Sequence, residues 1–162
     1  MSPARGRRRV ASTNPPDASD LRTFDRSLPM ALLRAREAVM DQFRAHLREL
    51  GVTEQQWRIL RALQTLGDTN ASEISKYTCI SMPSLSRIVH GLESRALVER
   101  RSDQHDLRSV RIRIAGRGTA LLAEGAQHSE QIYANIASAF GEEQIESLYR
   151  LLDALVESLG PE

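Results

Sequence analysis

The feature that most narrows what this chain can fold into is a change of period near residue 98. Upstream lie three short stretches with apolar side chains every three or four residues. Downstream, Val110-Arg111-Ile112-Arg113-Ile114 alternates strictly between apolar and charged. The first pattern belongs to helices and the second to a strand. Val98 to Arg101 is a second extended stretch, joined by the polar loop Ser102-Asp103-Gln104-His105-Asp106-Leu107-Arg108. The expectation is a two-stranded hairpin with a charged tip, with Val110, Ile112 and Ile114 inward and Arg111 and Arg113 in water. Two strands alone are marginal, so this hairpin must lean on the helices.

Those helices carry their own punctuation. Thr53-Glu54-Gln55-Gln56 has capping-box spacing, with Val52 and Trp57 at the staple positions. Trp57, Leu60, Leu63 and Leu66 mark a helix that ends at Gly67-Asp68. Asn70-Ala71-Ser72-Glu73 starts a second, carrying Ile74 and Tyr77. Ser81 and Pro83 open a third, with Leu85, Ile88, Val89 and Leu92 on one face. Three brief helices with tight turns resemble a helix-turn-helix arrangement.

The opposite face of the third helix holds Pro83, Arg87, His90, Gly91 and Ser94, flanked by Ser84 and Ser86. One cation, one imidazole and small hydroxyls make a flat surface with donors for phosphates and base edges in a major groove. Ordinary solvation would account for any one of these residues alone. The basic hairpin that follows favours DNA. Arg108 at its tip, with Arg100, Arg101, Arg111 and Arg113 alongside, suits phosphates or the minor groove. Asp106 is placed to orient Arg108, with a surface ion pair that touches no DNA as the alternative. The expected DNA contacts are Ser72, Ser81, Pro83, Ser84, Ser86, Arg87, His90, Arg101, Asp106 and Arg108.

Charge along the chain agrees. The net charge of the 162 residues is only +1, but residues 51–118 carry +4 and residues 119–162 carry −7. Residues 1–9 hold four arginines and no acid, and residues 10–50 balance to zero. A basic middle beside an acidic end suggests a polyanion-facing surface, with chance unevenness as the alternative. The length suits about one domain. No apolar run can span a bilayer, and none follows the basic first residues as a secretory signal would require. The single cysteine, Cys79, allows no intramolecular disulfide and no multi-cysteine zinc site. These features fit a cytoplasmic protein without a membrane partner.

Residues 1–20, rich in arginine and proline, cannot bury enough to fold, so residues 1–26 read as a disordered basic arm. From Ser27, a candidate helix cap, Leu28, Leu32, Ala35, Val39 and Phe43 form an apolar stripe facing a core. Met30, Leu33, Met40 and Leu47 lie off that stripe and point to a second packed face. Beyond Gly118, Leu121, Leu122, Ile132, Ile136 and Phe140 mark one helix, broken at Gly141. Ile145, Leu148, Leu151, Leu152, Leu155, Val156 and Leu159 mark another. So broad an apolar arc predicts a homodimer, unless the terminal helices simply cover each other. The fold class is mainly α with a small β-hairpin. A winged helix-turn-helix over residues 53–117 joins a helical dimerisation lobe made of residues 27–52 and 118–162.

This order of elements, with Asp103-x-x-Asp106-x-Arg108 in the hairpin, resembles the MarR family of winged-helix transcriptional regulators over roughly residues 27–160. The run from Ser27 to Glu37, the run from Leu50 to Arg61 with its Thr53-Glu54-Gln55-Gln56-Trp57, and Pro83-Ser84-Leu85-Ser86-Arg87-Ile88 are similar to the subgroup typified by the homoprotocatechuate-degradation operon regulator. The resemblance implies a symmetric dimer on a pseudo-palindromic double-stranded operator. It implies a repressor of aromatic-compound catabolism genes, released by a small aromatic acid or its coenzyme A thioester. Two departures stand out. His105 replaces the first arginine of the usual Asp-x-Arg-Asp-x-Arg, and Ala115 replaces the threonine that caps the next helix.

The resemblance places the effector between the DNA-binding and dimerisation lobes. A carboxylated aromatic needs an arginine or hydroxyl beside an apolar slot, and Ser27, Arg34, Arg36, His46 and Trp57 lie in the segments that would line it. Trp57 reads more readily as plain core, and Arg34 and Arg36 could equally form interhelical or intersubunit ion pairs. These two arginines sit about 160° apart around their helix, so one of them at most faces a given pocket. Cys79 reads as a buried, inert side chain, because peroxide-sensing relatives carry their thiol in the first long helix. His46, His90, His105 and His128 show no tight ligand spacing, so no metal and no cofactor is expected. No phosphate loop, nucleophile elbow or paired-histidine motif supports an enzyme. The alternative function is a winged-helix regulator or adaptor answering an oxidant or a partner protein.

Overall fold

The computed structural model describes residues 23–102 and 110–160. The chain divides into two compact units, Met1–Glu37 and Ala38–Glu162. Residues 1–22 of the expected arm, and the hairpin tip with His105, Asp106 and Arg108, lie outside the described residues.

In the first unit a 3-10 turn, Phe24–Arg26, precedes the opening turns of helix α1, Leu28–Glu49, whose residues from Ala38 on belong to the second. The Arg34 guanidinium donates to the Asp25 carboxylate at 3.0 Å and to the Asp25 carbonyl at 3.2 Å. Regular structure therefore starts before residue 27, earlier than the proposed end of the arm. The apolar stripe of α1 expected to face a core is buried only at its C-terminal end in the single chain. Phe43 and Leu47 are buried, whereas Leu28, Leu32, Ala35 and Val39 are exposed in the single chain.

In the second unit, α2 (Glu54–Leu66) begins with the expected capping box. The Thr53 hydroxyl accepts from the Gln56 amide, and the Gln56 side chain accepts from the Thr53 amide. Next come β1 (Thr69–Asn70), α3 (Ala71–Thr78), α4 (Met82–Ser94), β2 (Val98–Ser102) and β3 (Val110–Ile114). Helices α5 (Gly116–Phe140) and α6 (Glu142–Leu159) complete it. The sheet is antiparallel in the order β1-β3-β2, with Val98 opposite Ile114 and Arg101 opposite Arg111. The third strand was not expected. Two residues are too few to show a period, and Asn70 also caps α3 by accepting from the Glu73 amide at 2.9 Å. Ile112 is buried as expected and Ile114 is half-buried, but Val110 is exposed because it sits at the open end of the ladder beside Ser102.

Two hydrophobic clusters organise this unit. The larger joins Ile59, Leu60, Leu63, Ile74, Leu85, Val89, Leu92 and Ile112 under α2, α3, α4 and the sheet. The smaller joins Phe43, Leu47, Val52 and Ile132 between α1, α2 and α5. Trp57 and Leu121 pack against both. Helix α5 starts at Ala115 with no side-chain cap, as the missing threonine predicts. Its first turn is held instead by close approach. A Cβ on Gly118 would collide with the Leu97 carbonyl and stand 2.8 Å from Ile114. Helix α6 buries no residue, and Leu148, Leu151, Val156 and Leu159 are exposed. Among the described residues no helix is long and apolar enough to cross a membrane.

Candidate nucleic-acid interface

Helix α4 is fixed from beneath by Leu85, Val89 and Leu92, which are all buried. The turn before it is clamped from two sides. The Ser75 hydroxyl donates to the Ile80 carbonyl at 2.7 Å, and Arg58 reaches from α2 to the Thr78 carbonyl at 3.2 Å. Cys79 closes α3 in the left-handed conformation, at φ 54°. That cap turns its side chain out, so Cys79 is exposed and not the buried side chain expected. Tyr77 on the same helix is exposed too, whereas Thr78 is buried.

With its floor fixed, α4 presents Ser81, Pro83, Ser86, Arg87 and His90 to solvent, and Ser84 is half-buried. The Ser81 hydroxyl bonds the Ser84 hydroxyl at 3.2 Å and caps no backbone amide. Ser81 therefore leaves the Met82 and Ser84 amides of the first turn without a side-chain cap, Pro83 having no amide hydrogen, at a helix end whose dipole favours an anion. Arg87 and His90 make no ion pair or hydrogen bond with another described residue. Ser72 is exposed in the first turn of α3.

The hairpin arginines behave differently. Arg113 pairs with Glu99 directly across the ladder, its Nε donating at 2.8 Å. Arg111 pairs with Asp68 through its Nε at 3.3 Å, and Arg101 reaches the other Asp68 oxygen at 4.0 Å. Arg100 lies 3.7 Å from Glu93. Among the described residues the hairpin arginines thus form the surface ion pairs weighed as the alternative to phosphate contact. Asp68, which sequence reasoning passed over as a turn residue, sits between Arg101 and Arg111 and relieves the repulsion of two like charges placed opposite each other.

Of the residues nominated for an effector, His46 and Trp57 come together. His46 is buried, and its Nε2–H donates to the Gly125 carbonyl at 3.0 Å. The Trp57 indole stands edge-on to it, with ring centroids 6.4 Å apart. Gly125 makes this possible. A Cβ there would stand 2.8 Å from Trp57, 2.7 Å from Leu50 and 3.2 Å from the His46 ring. Ser27, Arg34 and Arg36 belong to the other unit. There Arg34 is paired with Asp25 and Arg36 with Glu37 at 2.5 Å, the ion pairing weighed as their alternative role. A cleft of about 590 Å³ opens elsewhere, lined by Leu66, Asp68, Thr69, Glu73, Lys76 and Tyr77, and contains none of the five nominated residues.

Comparison with known proteins agrees with this geometry. The MarR family profile matches residues 50–109. The chain is 34% identical over 131 residues to the HTH-type transcriptional regulator FarR of Neisseria gonorrhoeae, covering 81% of this chain and 90% of that one. It is 35% identical over 130 residues to the homoprotocatechuate degradative operon repressor of Escherichia coli, covering 80% of this chain and 88% of the repressor. The crystal structure of NadR in complex with 4-hydroxyphenylacetate matches with a TM-score of 0.74 at 33% identity, over 81% of this chain and 96% of NadR.

Proposed function

Because the chain belongs to the MarR family of DNA-binding transcriptional regulators, we propose that it is a homodimeric repressor of aromatic-compound catabolism genes, released by a small aromatic acid or its coenzyme A thioester. It reads a pseudo-palindromic operator with α4 in the major groove and the β2–β3 hairpin beside it. The observation that carries this reading is the exposed face of α4. Arg87 and His90 stand there without partners among the described residues, over a buried floor of Leu85, Val89 and Leu92. The exposed apolar side chains of α6 supply the dimer contact. The names of the relatives support the effector class, because one represses a homoprotocatechuate operon and another is crystallised with 4-hydroxyphenylacetate. His46 and Trp57 offer a half-buried polar and aromatic corner for such a ligand.

The test is fluorescence anisotropy on the protein's own promoter. Binding should weaken steeply with added salt, and phenolic acids or their thioesters should release the DNA. Binding that neither class of compound disturbs would overturn the effector assignment. A second reading, release by an oxidant, draws on the exposure of Cys79 at the turn before α4. Peroxide would then release the wild type and leave Cys79→Ser bound.

A further inference from the structure

We propose that His46, Glu49 and His128 form a binding site for one first-row divalent cation of the Zn²⁺ class. His46 and Glu49 stand three residues apart on α1, so their side chains leave the same face one turn apart. His128 arrives from α5. One donor atom from each of the three lies within 4.8 Å of the other two. Tetrahedral Zn²⁺ with ligands at about 2.0–2.2 Å holds its donors about 3.4 Å apart, so closure takes shifts of about 1 Å. Glu49 and His128 are exposed and free to make them, while buried His46 stays in place.

The His46 ring carries an outer hydrogen bond of the kind metal-bound histidines make, and the site requires Nδ1 as its donor atom. Its Nε2–H is committed to the Gly125 carbonyl at 3.0 Å, which in the neutral ring leaves the lone pair on Nδ1. A backbone carbonyl on the far nitrogen is the usual outer partner of a metal-bound histidine. The His46 and His128 rings lie 4.3 Å apart between centroids, tilted by 31°. This closeness again depends on Gly125, where a Cβ would crowd the His46 ring. One residue beyond His128, the buried Ser129 hydroxyl has no hydrogen-bond partner among the described residues. The carbonyl a helical serine ordinarily uses, four residues back, is that of Gly125, which His46 already engages. A polar group is thus left over within one residue of the cluster.

Two imidazoles and one carboxylate suit Zn²⁺, Co²⁺, Ni²⁺ or Cu²⁺, and fit poorly the oxygen-seeking Mg²⁺ and Ca²⁺. Three protein donors leave a fourth position for water or an anionic oxygen. The site shares His46 with the effector corner proposed above, but metal binding is measured with neither DNA nor aromatic acid present, so its failure and that of the repressor reading are told apart. The full chain, stripped with a chelator, is titrated with Co²⁺ and then with Zn²⁺. The expected result is one Co²⁺ per chain, with visible bands of four- or five-coordination that Zn²⁺ removes and Mg²⁺ does not. Zn²⁺ should also raise the melting temperature. His128→Ala and Glu49→Gln, both at exposed positions, should each lose roughly tenfold or more in Zn²⁺ affinity, with an unchanged metal-free melt. A spectrum of hydrated Co²⁺ only, or a smaller loss in either variant, overturns the three-donor site.

Discussion

Arg87 owes its availability to its neighbours in sequence. Leu85, Ile88, Val89 and Leu92 hold one face of α4 down, and 3.6-residue geometry turns Arg87 and His90 outward. This much is legible from the sequence, because the floor is made of nearby residues. If Arg87 reads a base, Arg87→Ala should cost about 1–3 kcal/mol at one operator position and relax selectivity there. Anisotropy across single-base operator variants measures this, and a uniform loss would assign Arg87 to phosphate. Gly125 shows the opposite limit. Nothing local marks it, since its role comes from Trp57 and His46 on other helices. Gly125→Ala forces a methyl against the indole and should destabilise the fold by about 1–3 kcal/mol, read from a denaturant melt.

At the scale of elements, the capped starts of α2 and α3 were readable because capping is a contract between residues three apart. Strand β1 was not, because a pair of residues has no period and its partner lies in β3, far along the chain. The hairpin's ion pairs were hidden for the same reason. Asp68 neutralises Arg101 and Arg111 only because β1 docks on β3. Asp68→Asn should lower stability by less than about 1 kcal/mol, since these pairs are partly exposed. The same change frees two guanidinium groups, so affinity for duplex DNA of any sequence should rise and its salt dependence steepen. Unchanged binding would remove Arg101 from the phosphate contacts.

For the whole molecule, apolar stripes announce that a face is covered without saying by what. On α1, Phe43 and Leu47 are covered within the chain, and Leu28, Leu32 and Val39 are not. On α6, Leu151 is 69% exposed and Val156 70%. With no cover from the described residues of its own chain, this face is the one a second copy would take. Leu151→Glu together with Val156→Glu should yield a folded monomer by sedimentation, with operator affinity reduced at least tenfold as the second half-site is lost. A dimer that survives both changes would move the interface elsewhere.

Helix α5 runs unbroken from Gly116 to Phe140, with its first turn seated on Leu97 and Ile114 of the DNA-binding lobe and its far end beside α6. A helix of that length is about 37 Å long and behaves as a stiff rod on a fixed footing. A swing of about 5° at the footing carries the far tip by about 3 Å, and a two-fold axis through the far ends would double the relative displacement of two such footings. Small wedges placed between α5 and its neighbours are thereby geared up into changes of span. In such a dimer the distance between the two copies of α4 would follow from one angle, with no joint that need bend.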